Sequence, residues 1–77
     1  MKPHPRKRQI KAAIRTFLAM FRPGDQLRTE DIVKYVHKYQ GRYIYDGTIL
    51  RYLREMRQQG EINYVIRVKA DRIMELI

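Results

Sequence analysis

The sequence contains no cysteine and no tryptophan, and only four glycines and three prolines punctuate it. Without cysteine, neither a disulfide nor a thiolate-bound zinc can hold the fold, so stability has to come from packing. Acidic residues are scarce as well: eight Asp and Glu stand against seventeen Lys and Arg, a formal charge of +9 on 77 residues. An excess of that size on so small a chain selects a polyanionic partner, nucleic acid first and an anionic membrane surface second. Long apolar runs are missing. A spanning helix needs about 20 consecutive apolar residues, whereas the stretch Ala12 to Phe21 is broken by Arg15, so no membrane segment is expected.

The two histidines, His4 and His37, have no partner at metal-ligand spacing, and no nucleophile stands next to a base. No close carboxylate pair falls on an expected cleft, and a glycine-rich phosphate loop is absent too. Neither enzymatic activity nor a metal or other cofactor is expected. The first 24 residues contain no acid, as organelle-targeting peptides do, but they lack the serine enrichment of such peptides and carry apolar residues that a core would need. With 44% hydrophobic residues the chain suits one compact domain, which at this size buries only about 60% of its unfolded surface and leaves no roomy pocket for a small-molecule effector.

Residues 1–8 hold two prolines, four basic residues and no aliphatic side chain after Met1, which predicts a flexible basic arm ahead of a domain at 9–77. Within the domain, Ile10, Ile14, Phe17, Leu18 and Phe21 share one face of a first helix, beside a basic ridge of Lys7, Lys11 and Arg15. Arg22, Pro23 and Gly24 end it. Thr29 is the expected cap of a second helix, with Glu30 and Asp31 in its first turn, an inward face of Ile32, Val36 and Tyr39 and a closing Gly41. A third helix spans Asp46 to about Gln59. It buries Ile49, Leu53 and Met56, with Tyr45 and Leu50 placed as a hydrophobic staple. The period then changes to alternation, Ile62, Tyr64 and Ile66 followed by Ile73 to Ile77, so two strands form a hairpin turning near Lys69 to Asp71. A three-residue turn, which pairs Ile66 with Met74 and Tyr64 with Leu76, is preferred over a two-residue one.

At about 100° per residue, Gly47, Arg51, Arg54 and Gln58 fall opposite the buried face of the third helix, with Thr48 and Glu55 on its flanks. An arginine fork, an amide and small residues on one exposed face suit a major groove, where arginine grips guanine and glutamine pairs with adenine. Charged outer faces also occur on helices that bind nothing. Glu55 is expected to pair with Arg51 one turn earlier. Of the six tyrosines, Tyr43 is the candidate for contact from the preceding turn, and Tyr45 is assigned to packing. Arg6, Lys7 and Arg8 of the arm, with Lys11, are candidate phosphate contacts.

The order of helix, short extended piece, helix, helix and two strands resembles the winged helix-turn-helix family over residues 9–77. The run Thr48, Ile49, Leu50, Arg51, Tyr52, Leu53, Arg54, Glu55, Met56, with Gly60, Glu61 and Ile62, is similar to that family's recognition helix running into its wing. The resemblance implies an α+β fold, mainly α, of three helices and a C-terminal two-stranded hairpin. It also implies binding of double-stranded DNA by a small transcriptional regulator, alone or as a homodimer, in the cytoplasm with the nucleoid or in a nucleus. Arg67, Lys69 and Arg72 would then lie on a wing that follows the backbone or minor groove. Two other readings stay open: a protein-binding adaptor in a replication or viral assembly, and an RNA-binding module.

Overall fold

A computed structural model describes residues 5–41 and 43–77, apart from the side chains of Pro5 and Arg6. The elements follow the order α1 (Pro5–Leu18), β1 (Gln26–Arg28), α2 (Thr29–Gln40), α3 (Asp46–Gln58), β2 (Tyr64–Val68) and β3 (Ile73–Leu76). The fold is α+β: three helices pack around one core, and a three-stranded antiparallel sheet in the order β1-β3-β2 closes one side. This layout is compatible with a winged helix. No described helix is long and apolar enough to cross a membrane.

α1 begins earlier than the composition suggests. Proline is well placed at the first helical position, where its missing N–H is not needed; the helix therefore starts at Pro5, and residues 5–8 are not an arm. Residues 1–4 lie outside the described residues. Ile10, Ala13, Ile14 and Leu18 are buried, while Phe17 and Phe21 pack at the edge of the core. The helix gives way after Leu18, before the proline, to turns in which Met20 N–H donates to the Phe17 carbonyl and Phe21 N–H to that of Leu18.

In α2, Ile32, Val33 and Val36 are buried, but Tyr39 is 53% exposed. Tyr39 ends a row of rings running Phe21, Phe17, Tyr35, Tyr39, with centroids 5.0, 4.8 and 5.9 Å apart. Thr29 does not cap this helix through its side chain; Arg28 occupies the cap position. The hairpin supplies the missing acceptor, because Thr29 N–H donates to the Arg72 carbonyl at 3.0 Å. At the other end Gly41, at φ +69°, takes the left-handed conformation that closes the helix.

The hairpin has the register expected from alternation, Tyr64 opposite Leu76 and Ile66 opposite Met74. The connection is longer than expected. A bulge between Ile66 and Val68 shifts the register so that Val68 faces Ile73, leaving Lys69 to Arg72 as the turn. Arg72 sits there at φ +53°. β1 pairs with β3, Leu27 opposite Met74, so the hairpin is the outer part of a three-stranded sheet.

Candidate nucleic-acid interface

α3 is positioned by Ile49, Tyr52, Leu53 and Met56, all buried against the rest of the core. Its end is fixed by Gly60 at φ +79°, where Gly60 N–H donates to the Arg57 carbonyl and Glu61 N–H to that of Met56. Arg51, Arg54 and Gln58 are consequently exposed together on the outer face, with Thr48 half-buried near the helix start. This much of the expected face is assembled.

Not every cation belongs to it. Lys11 is only 8% exposed, and its ammonium and that of Lys7 converge on one carboxylate oxygen of Glu55, at 3.3 and 3.0 Å. Glu55 therefore turns toward α1 rather than pairing with Arg51. The hydrogen bond from Lys7, reinforced by Lys11, holds its carboxyl below the ordinary 4.5. Farther along α1, Arg15 binds Glu61 at 2.9 Å. The basic ridge of α1 is thus a clamp onto α3 and its C-terminal turn, in which Lys7 and Lys11 are already paired with Glu55. Arg8 is exposed on α1, and Arg6 has no described side chain.

The hairpin cations divide in the same way. Arg67 pairs bidentately with Glu75, at 3.3 and 3.0 Å. That contact lowers the pKa of Glu75 and raises that of Arg67. The Arg67 guanidinium, 53% exposed, is thus paired with Glu75 within the sheet before any other contact. Lys69 and Arg72 instead line a groove between α3 and the hairpin, facing Arg54 and Arg57. The groove has a volume of about 380 Å³ and an apolar floor that includes Leu50, Leu53, Tyr64 and Ile66. No carboxylate lines it; Asp71 stands in the turn outside. Another depression, about 420 Å³ beside β1, is lined by both Glu30 and Asp31 and does not suit a polyanion.

Arg57 is the groove-lining cation that sequence reasoning missed. Its helical angle places it beside the buried face, but its guanidinium lies 4.7 Å from the centroid of the Tyr64 ring, which directs the side chain along the groove. Only its three-residue spacing from Arg54 hinted at this. Thr29 also lines the groove, and its hydroxyl is buried with no partner.

The turn before α3 also departs from expectation. His37 Nε2 lies 2.7 Å from the Ile44 carbonyl, fixing the buried plug Ile44, and Tyr43 packs against the His37 ring with centroids 5.0 Å apart. Tyr43 is 72% exposed, as a contact residue should be, but Tyr45 is 69% exposed rather than packed. Tyr45 takes the cap position of α3, and it offers no side-chain cap bond. Gly47 serves this ring: a Cβ on Gly47 would lie 2.5 Å from Tyr45 Cε2. Its bareness makes room for Tyr45. A polar cap at position 45 would contribute about 1 kcal/mol and alanine at 47 about 0.5 to 1 kcal/mol, so the local sequence forgoes both.

Among the described residues no group of three or more His, Asp and Glu could hold a metal ion. No family model matches this chain, and neither a curated protein nor a solved structure does.

Proposed function

We propose that the protein is a winged-helix module that binds double-stranded DNA, with α3 presented to the major groove and the sugar-phosphate backbone seated along the groove between α3 and the hairpin. The observation that carries this reading is the distribution of charge around that groove. Arg54, Arg57, Lys69 and Arg72 converge on a surface without a lining carboxylate, while Lys7, Lys11, Arg15 and Arg67 are occupied by Glu55, Glu61 and Glu75. Phosphate contacts supply affinity and register, and base contacts supply choice. Groove cations carry the first task; Arg51, Arg54 and Gln58 on the outer face of α3 carry the second. The backbone supports the same division. A non-glycine residue at positive φ costs about 1 to 2 kcal/mol, and Arg72 accepts that conformation at the groove margin.

The reading is tested by fluorescence anisotropy on a random-sequence DNA duplex at low salt, beside an RNA duplex of the same sequence, followed by selection from a random DNA pool. DNA binding that is abolished by Arg54→Glu and Lys69→Glu, and a selected site whose choice relaxes in Arg51→Ala, are expected. No binding to duplex DNA, or binding indifferent to both charge reversals, refutes it. Preference for the RNA duplex moves the groove to an A-form partner. A DNA-binding regulator acts with the nucleoid or in a nucleus, and the control of transcription is part of the same proposal.

A further inference from the structure

We infer that Tyr45 is a preset stacking residue that takes one unstacked nucleobase where α3 meets the DNA. This rests on the proposed DNA-binding reading and adds to it a defined contact for a distorted or unpaired site. Among the described residues Tyr43 and Tyr45 are the most exposed of the large hydrophobic side chains, at 72 and 69%. An exposed ring by itself means little. Here the local sequence is arranged around it.

At the cap of a helix a Ser, Thr, Asp or Asn would satisfy a free N–H, yet position 45 carries a phenol with no cap bond. Within the first turn, an alanine would stiffen the helix, yet position 47 is a glycine across which the Tyr45 ring lies, so close that any Cβ would displace it. Two stabilising choices are forgone in three residues, and both positions are given over to one ring that lies across Gly47 with most of its surface open. Departures from local consistency of this kind concentrate at functional positions. The turn itself is braced: Ile44 is buried, and its carbonyl is held by His37. The backbone that carries the ring is therefore fixed from behind.

Its surroundings select the ligand. Arg51 and Arg54 lie on the exposed face of the same helix, which favours a polyanion over an apolar peptide. A planar ring beside such cations fits a base attached to a phosphodiester strand. Every base has a π-face, so the contact is tolerant of sequence. Inside an intact duplex that face is covered by neighbouring base pairs, so the ring engages where a base is unpaired or readily unstacked.

The experiment uses the full chain and three probes: an intact DNA duplex, the same duplex with one unpaired 2-aminopurine, and the corresponding single strand. Wild-type protein should prefer the bulged duplex to the intact one and change the fluorescence of its 2-aminopurine. Tyr45→Ala should weaken binding to the bulged duplex about 5- to 150-fold, the range of one base–aromatic stack, and abolish the preference. Tyr45→Phe should retain it. Gly47→Ala, which leaves the tyrosine in place but displaces its ring, should behave like Tyr45→Ala, with thermal melts confirming that both variants fold. Equal affinity of wild type and Tyr45→Ala for the bulged duplex overturns the inference, as does preserved preference in Gly47→Ala; in either case binding to the intact duplex keeps the broader reading alive. Preference for the single strand over both duplexes also overturns it as stated. Failure to bind all three probes refutes the DNA-binding reading itself.

Discussion

The division between committed and uncommitted cations makes a quantitative prediction about salt. Each phosphate neutralised on B-DNA releases counterions, so log Kobs falls with log salt at a slope of about −0.9 per contact. Arg54, Arg57, Lys69 and Arg72 line the groove. If all four engage phosphates, the slope is about −3.6, an affinity loss of about 150-fold between about 50 and 200 mM salt. Replacing Arg54 and Arg57 together by glutamine leaves two contacts, a slope of about −1.8 and a loss of about 12-fold over the same interval. Arg15→Gln removes the same kind of charge from a site already occupied by Glu61 and should leave the slope unchanged. Anisotropy titrations of a labelled duplex at several salt concentrations measure all three. A wild-type slope shallower than about −2, or a slope reduced as much per charge by Arg15→Gln as by the double variant, refutes the assignment of the groove as the phosphate-binding surface.

The other consequences concern the scaffold and its margin. Arg72→Gly relieves the positive φ at position 72 while adding chain entropy to the unfolded state, so thermal unfolding should show a change between zero and about 1 kcal/mol of stabilisation; DNA affinity should fall regardless. Thr29→Val keeps the shape of a side chain whose hydroxyl is buried without a partner and should cost no stability in denaturant titrations; a loss above about 1 kcal/mol would show that the hydroxyl is satisfied in solution. The carboxyls of Glu55 and Glu75 are lowered from 4.5, chiefly by hydrogen bonds from Lys7 and Arg67 respectively. Their contribution is complete above about pH 4.5 and disappears as pH falls through the lower folded-state values. Acid unfolding should accordingly steepen below that pH, and Glu55→Gln should flatten the curve there; an unchanged curve would count against the α1–α3 clamp.

Elements defined by apolar spacing were legible in the sequence, because the same spacing creates the buried face. Ile49, Leu53 and Met56 on α3, Gly41 and Gly60 at helix ends, and the pairing of Tyr64 with Leu76 all follow from local chemistry. What could not be read depended on distant partners. The short extended piece at Gln26–Arg28 was expected, but not its pairing as β1 with β3, because three residues are too few for alternation to reveal a partner. The start of α1 was hidden by a composition that reads as an arm, although proline at a first helical position is no obstacle. Tyr39 and Tyr45 were assigned inward on periodicity and staple spacing. Tyr39 is drawn outward into a row of rings, and Tyr45 across a glycine.

Glu55 shows most clearly why the functional face needed the structure. Along the chain its nearest cation at helical spacing is Arg51, and that pairing would have blunted the outer face of α3. In three dimensions Lys11, 44 residues away, and Lys7 take it instead, leaving Arg51 with no carboxylate within ion-pair distance among the described residues; its guanidinium lies 5.3 Å from the centroid of the Tyr52 ring. In a chain with eight acids and seventeen bases, excess positive charge is inevitable, so its presence alone says little about function. Its location is set by where the few carboxylates are spent. Glu55 and Glu61 bind α1, and Glu75 binds Arg67 within the sheet. These contacts fasten α1 to α3 and brace the hairpin. In doing so they leave the groove between α3 and the hairpin without a counter-charge, so the ion pairs that organise the scaffold also define the surface at which a polyanion gains most.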